Sequence, residues 1–232
     1  MQKKAILYII VRIIMGLMFI LNVVGIFIIK DDGQQSRLAF NAFQSLSLVL
    51  ASTIPELIEK KGKLNIPDFM EVIFIIMCIC HFVLGEIGSF YIKFSWWDSM
   101  LHTLSGSMIA ILGFSIVNSV NQEKNNMIVF PIFVAIFAVC FSVTIGVLWE
   151  VVEFTIDHLT GSNMQRYMNS TTLVPFEGRI ALLDTMKDLM LDTIGACVIS
   201  IIGYLSMKKD KHAFQRWTIK RDQIIDEMNK AS

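Results

Sequence analysis

Long apolar blocks joined by short polar segments run through the chain and define its elements. Ala5 to Ile29 is apolar except for Arg12 and Asn22. A hydrocarbon core of about 30 Å is crossed by about 20 helical residues, so this block is long enough to span. It is too long for the apolar part of a secretory signal, and no small-x-small cleavage site follows it, so it reads as an uncleaved first span. Leu38 to Ile58 is the least apolar block. Its Asn41, Gln44, Ser45, Ser52 and Thr53 gather near one helical face, as on a helix packed inside a bundle. Pro67 to Ile87 opens on a Pro-Asp helix start. Asp98 to Val120, Met127 to Phe154 and Asp184 to Met207 complete a set of six. The pattern predicts an all-α polytopic membrane helix bundle over residues 1–207, with transmembrane helices at about 5–29, 38–58, 67–87, 98–120, 127–154 and 184–207. A basic tail occupies 208–232.

Composition agrees. With 54% hydrophobic and 17% charged residues, the chain is neither disordered, nor a fibre, nor an ordinary soluble enzyme. Twenty basic and twenty acidic residues give zero net charge, which speaks against nucleic acid as a partner. The placement of the cations is more informative. The N-terminus, the 59–66 and 121–126 loops and the tail hold thirteen Lys and Arg, the opposite loops five (Lys30, Arg37, Lys93, Arg166 and Arg179). Cations mark the cytoplasmic side, so both termini are expected in the cytoplasm of a bacterium, with the chain in the inner membrane. Cys78, Cys80, Cys140 and Cys197 all fall within apolar blocks and read as buried thiols.

An ionisable residue inside a membrane helix costs about 2.5–3.5 kcal/mol on insertion scales, so each calls for a reason. His81, Asp98, His102, Glu150, Glu153, Asp184, Asp188 and Asp192 are such residues. Asp98 and His102 are i, i+4, Glu150 and Glu153 are i, i+3, and the three late aspartates form an i, i+4, i+8 ladder. Each set therefore shares one helix face. Connectivity also puts all four groups in the extracytoplasmic half of the bilayer, with Asp192 only about 12 Å deeper than Asp184. Asp98 and Asp184 have a plainer reading as acids favoured by helix N-termini.

Six acids and two histidines at one level call for shared protons, pairing with Arg179 or Lys187, or a bound cation. Carboxylates with imidazole suit a divalent metal such as Zn or Mn, and all-oxygen sites suit Mg. The expected metal ligands are His81, Asp98, His102, Asp184, Asp188 and Asp192, with Glu150 and Glu153 as catalytic groups. Arg179, in the long 155–183 segment over the site, is expected to anchor substrate or pair with an acid. Trp96, Trp97 and Tyr91 have the composition of an interfacial aromatic belt.

The order His81, Gly85, Tyr91, Trp97-Asp98, His102, Ser105-Gly106, then Trp149-Glu150 and Glu153, then Asp184-Thr185, Asp188, Asp192 and Gly195-Ala196 resembles the YjdF family of bacterial inner-membrane proteins. The stretch from Gly178-Arg179 to Gly195 is locally similar to the last helix of VanZ-like membrane proteins. The first resemblance implies a multi-span integral membrane protein and names no substrate. The leading expectation is a metal-dependent hydrolase or transferase that acts on a lipid-linked or envelope substrate and touches membrane lipids. The alternatives are a cation- or proton-coupled transporter and a non-catalytic accessory protein.

Overall fold

A computed structural model describes residues 2–62, 64–123, 129–210 and 218–221. It is helical, and six of its helical stretches are long and apolar enough to cross a membrane. The chain divides into two compact units, the first reaching Phe94 with Lys220–Arg221 added, the second running from Ser95 to Ile219.

The first unit holds α1 (Gln2–Ile28), α2 (Asp32–Ala51), α3 (Ile54–Gly62), α4 (Asp68–Cys78) and the short α5 (Phe90–Lys93). Asp31 caps α2 by accepting the Gln34 N–H at 2.8 Å. The Gln35 carboxamide donates to Ile26 O and Ile29 O, satisfying carbonyls that the end of α1 leaves open. The second span is longer than its apolar pattern and is broken. Ser52 and Thr53 hydroxyls donate back to Val49 O and Leu50 O, and Pro55 has no N–H to offer, so the chain restarts as α3. In the third span α4 continues into a wider π-helical stretch, Ile79–Ile87. Tyr8, Val11, Met15, Leu48 and Ile75 form the core of this unit. Arg12, the one cation inside the first span, donates to Ser52 O at 2.8 Å and pairs with Glu56 at 3.2 Å.

The second unit is built on α6 (Trp97–Glu123), α7 (Pro131–Thr160) and α8 (Leu183–Lys209), the last preceded by a 3-10 turn, Gly178–Leu182. Pro131 opens α7, where its missing N–H costs nothing, and Gly161 in the left-handed region (φ 69°) ends it. Thus α7 runs beyond the expected Phe154, and at 1.5 Å per residue it is about 45 Å long. Lys208 and Lys209 close α8, where cations offset the helix dipole. Of the expected basic tail, Lys220-Arg221 pairs antiparallel with Leu64-Asn65 (β1 and β2), while 211–217 and 222–232 lie outside the described residues.

The three helices of this unit are apolar at one end and polar at the other. Ala110, Phe114, Val134, Ala135, Ala138, Ala196 and Met207 make the apolar end. Toward the polar end, α6 and α8 touch backbone to backbone. A Cβ added at Gly106 would overlap the Asp192 main chain, and one at Gly195 would overlap Thr103 O. Ser142 of α7 donates to Gly106 O at 2.8 Å, tying the third helix to the same point. That close approach positions the acids described next.

Candidate functional site

Asp98 lies in the first turn of α6 and His102 one turn later, so both side chains look the same way. Asp188 and Asp192 do the same on α8, Glu150 and Glu153 on α7. All six are buried, from 2% exposed at Asp188 to 8% at His102. Asp184 sits at the mouth, half-buried. The N-terminal acid Asp98 is therefore an inward-facing member of the cluster.

The His102 ring is its centre. Nδ1 is 3.3 Å from Asp192 Oδ2, and Nε2 is 3.7 Å from Asp98 Oδ1 and 3.9 Å from Asp188 Oδ2. Asp192 Oδ1 accepts the Ser105 hydroxyl at 3.0 Å. Donor atoms of Asp98, His102 and Asp188 lie within 4.8 Å of one another. Asp188 Oδ1 and Glu150 Oε1 are buried and accept no hydrogen bond among the described residues. Leaving such an acceptor unsatisfied costs about 1–3 kcal/mol, and more for a charged one.

Glu150 Oε2 accepts the Gln165 carboxamide at 3.2 Å, and the same nitrogen reaches Thr185 Oγ1 at 3.1 Å. Glu153 Oε1 accepts the Trp149 indole N–H at 2.9 Å. Glu153 is also within electrostatic reach of Glu150, His102 and Asp98, and Asp184 of Asp98, Arg166, Lys187 and Glu150. Six carboxyls thus face one imidazole, one guanidinium and one ammonium. The negative surplus is the main electrostatic property of the site.

Three participants come from α7's end and the loop beyond it. Asp157, one turn past Glu153, is 5% exposed and accepts Ser162 Oγ, Met164 N and Gln165 N at 2.6, 2.7 and 2.9 Å. It folds the loop back over the cluster and sets down Gln165 and Arg166. Arg166 has φ 47°, the left-handed region that non-glycine residues rarely occupy. Its Nη1 lies 3.7 Å from Asp98 Oδ2 and 3.8 Å from Asp184 Oδ1.

The guanidinium that reaches the acids is therefore that of Arg166. Arg179, expected to pair or to anchor substrate, lies exposed on the 3-10 turn, because α8 begins only after that turn and carries its acids away from it. His81 belongs to the first unit, on the π-helical stretch, with its Nδ1 2.5 Å from Tyr91 OH. A Cβ at Gly85 would overlap the Tyr91 ring, so that glycine lets the tyrosine lie against the helix. Asp157 carried a readable signal, since 150, 153 and 157 share one helical face. Arg166 and Gln165 carried none, being placed by loop contacts.

Comparison with known proteins adds a family. The family described as "Predicted membrane protein (DUF2238)" matches residues 9–209. The chain belongs to it. An uncharacterized protein of Thermotoga maritima is 26% identical over 153 residues, covering 65% of this chain and 69% of that relative. No solved structure matches the chain. This DUF2238 protein is thus an integral membrane protein whose second unit carries a buried carboxylate–histidine cluster.

Proposed function

We propose that this protein is a membrane-embedded hydrolase or transferase that holds a divalent metal between Asp98, His102 and Asp188 and acts on a lipid-linked or envelope substrate at the extracytoplasmic face of a bacterial inner membrane. The observation that carries this reading is the convergence of those three donors within 4.8 Å, with Asp188 Oδ1 left without a hydrogen bond among the described residues. Bonds of about 2.1 Å in a tetrahedral shell put ligand atoms about 3.4 Å apart. The 3.7 and 3.9 Å separations around His102 Nε2 exceed that by only a few tenths of an ångström. The His102–Asp192 contact supplies the outer partner that a metal-binding imidazole commonly has, holding the proton on Nδ1 and turning the Nε2 lone pair inward. Two carboxylates and an imidazole suit Zn or Mn better than Mg.

A metal there supplies Lewis acidity and a water activated at neutral pH. The chain's own groups do the rest. Glu150 Oε1, buried and open, is the atom that takes a proton, while Gln165 holds the other oxygen of that carboxylate. Glu153 is oriented by Trp149. Arg166, between Asp98 and Asp184, takes the role of substrate anchor that its sequence position did not suggest. The motif order that resembles the YjdF family includes residues of all three helices. The cation distribution supports a cytoplasmic side for both termini in this reading.

The test is metal analysis of the full chain in mild detergent, comparing wild type with His102→Ala and Asp188→Asn. One divalent ion per chain, lost in both variants while helical circular dichroism persists, is the expected result. Wild-type protein that carries no metal, and whose unfolding temperature does not respond to Zn, Mn or Mg, overturns the reading in favour of an ion pathway or a packing role for the acids.

A further inference from the structure

We propose that the segment from Leu173 to Leu183 lies in the headgroup–acyl boundary of the leaflet at the acidic end of α6, α7 and α8, as a lipid-immersed lip beside the cluster, and is not a lid facing water. The partner is the bilayer itself, and the proposal does not depend on the metal.

Residues 167–176 contain no charged side chain, and Glu177 and Arg179 are the two charged residues between Leu173 and Leu183. Leu173, Val174, Phe176, Ile180, Leu182 and Leu183 are each between 37% and 65% exposed. Six large apolar side chains standing out along eleven residues are costly in water and at home in lipid. They also continue an existing lipid-facing surface. Phe154 and Leu159 on α7, and Met186, Met190, Ile194 and Val198 on α8, are exposed in the same way along helices that cross the membrane. The exposed apolar side chains of α7 and α8 thus lead toward those of the segment, with Glu177 and Arg179 as the exposed charges among them.

Depth agrees. From Lys208, a cation at the far surface, to Leu183 the helix rises about 38 Å. That exceeds the hydrocarbon core of about 30 Å and falls short of the roughly 40–45 Å of core plus headgroups. Leu183, and the loop just before it, therefore sit in the interfacial layer.

The loop is also built to present these residues. Asn169 accepts Thr171 N and Thr172 N through its side chain, each at 2.9 Å, and Leu173 N donates to Asn169 O at 2.8 Å. Met168 and Pro175 form an isolated antiparallel bridge. Leu173 is thereby held at φ 55°, a conformation that an unconstrained leucine avoids. A fixed hairpin with Leu173 and Val174 near its tip is the shape of a small interfacial anchor. The N–H groups of Thr171, Thr172 and Leu173 are satisfied within the hairpin, which lowers the cost of taking them out of water.

Two measurements test this on the full chain in lipid nanodiscs. Val174→Cys and Phe176→Cys, made with Cys78, Cys80, Cys140 and Cys197 replaced by alanine, carry an environment-sensitive fluorophore. The expected result is quenching by nitroxide-bearing lipids and protection from aqueous iodide, with labelled Lys60→Cys, whose native side chain is 73% exposed, as the water-facing reference. The wild-type chain serves where the cysteine-free background fails to fold. A diazirine reagent dissolved in the acyl phase should mark the tryptic peptide Tyr167–Arg179. Quenching by iodide as strong as at position 60, or a wild-type peptide left unmarked, overturns the proposal. So does a label shielded from iodide but untouched by the lipid quencher, which would mean a protein partner instead.

Discussion

Asp192 grips His102 by Nδ1, 3.3 Å from its Oδ2, and so leaves Nε2 turned toward Asp98 and Asp188. Removing the charge while keeping the shape isolates that grip. Asp192→Asn should weaken divalent binding about 10- to 100-fold, as losing the outer partner of a ligating histidine does. Calorimetric titration of Zn or Mn measures this. Unchanged affinity would mean that Asp192 does not orient the ring.

Gly146 of α7 backs the same carboxylate. A Cβ there would lie 2.6 Å from Asp192 Oδ2, so Gly146→Ala should displace Asp192 and lower metal affinity in the same direction. Gly106→Ala meets main chain that cannot step aside, and should cost about 1–3 kcal/mol or more of stability. Gly16→Ala, with nothing within 4 Å of the added carbon, is the contrast. It should leave stability unchanged or raise it by about 0.5–1 kcal/mol. Thermal unfolding in detergent separates the three.

Asp157 is expected to behave as the clasp of the loop. It accepts three hydrogen bonds from Ser162, Met164 and Gln165. Even one such bond to a charged acceptor is worth about 1.5–3 kcal/mol, so Asp157→Ala should speed tryptic cleavage after Arg166 about tenfold or more. Mass spectrometry of the digest reads the rate, and equal rates in variant and wild type would remove Asp157 from this role.

Arg166 and a metal compete for the same negative surplus. Arg166→Gln should destabilise the metal-stripped protein by about 1–3 kcal/mol, since it leaves Asp98 and Asp184 without their guanidinium. It should also raise divalent affinity roughly tenfold, because one nearby positive charge is gone. Arg179→Gln, on an exposed turn, should change neither quantity. Paired melts with chelator and with metal distinguish the two arginines.

Much of the architecture could be read from spacing. The six apolar blocks correspond to six candidate spans. Helical intervals within each block correctly put Asp98 with His102, Glu150 with Glu153, and Asp188 with Asp192, because a rise and turn fixed by backbone hydrogen bonds places side chains four residues apart on one face. The end of α7 was not read this way, since the helix runs past the expected Phe154 to Gly161. The local rule was also less successful where side chains compete for the backbone. Ser52, Thr53 and Pro55 divide the second span, although its hydropathy alone reads as one helix.

By itself, then, the sequence determined an all-α membrane chain whose polar residues share one end of their helices, since burial in lipid and helical periodicity are properties of consecutive residues. Only the tertiary structure decided which arginine meets the acids, that Asp157 orders the loop, and that His81 lies beside Tyr91 in the first unit. Those outcomes depend on turns with positive φ and on glycines that let α6 and α8 touch, which bring together residues such as His102 and Asp192 that lie 90 positions apart. Contacts over such separations are set by how whole helices pack, and no window of neighbouring residues encodes that packing.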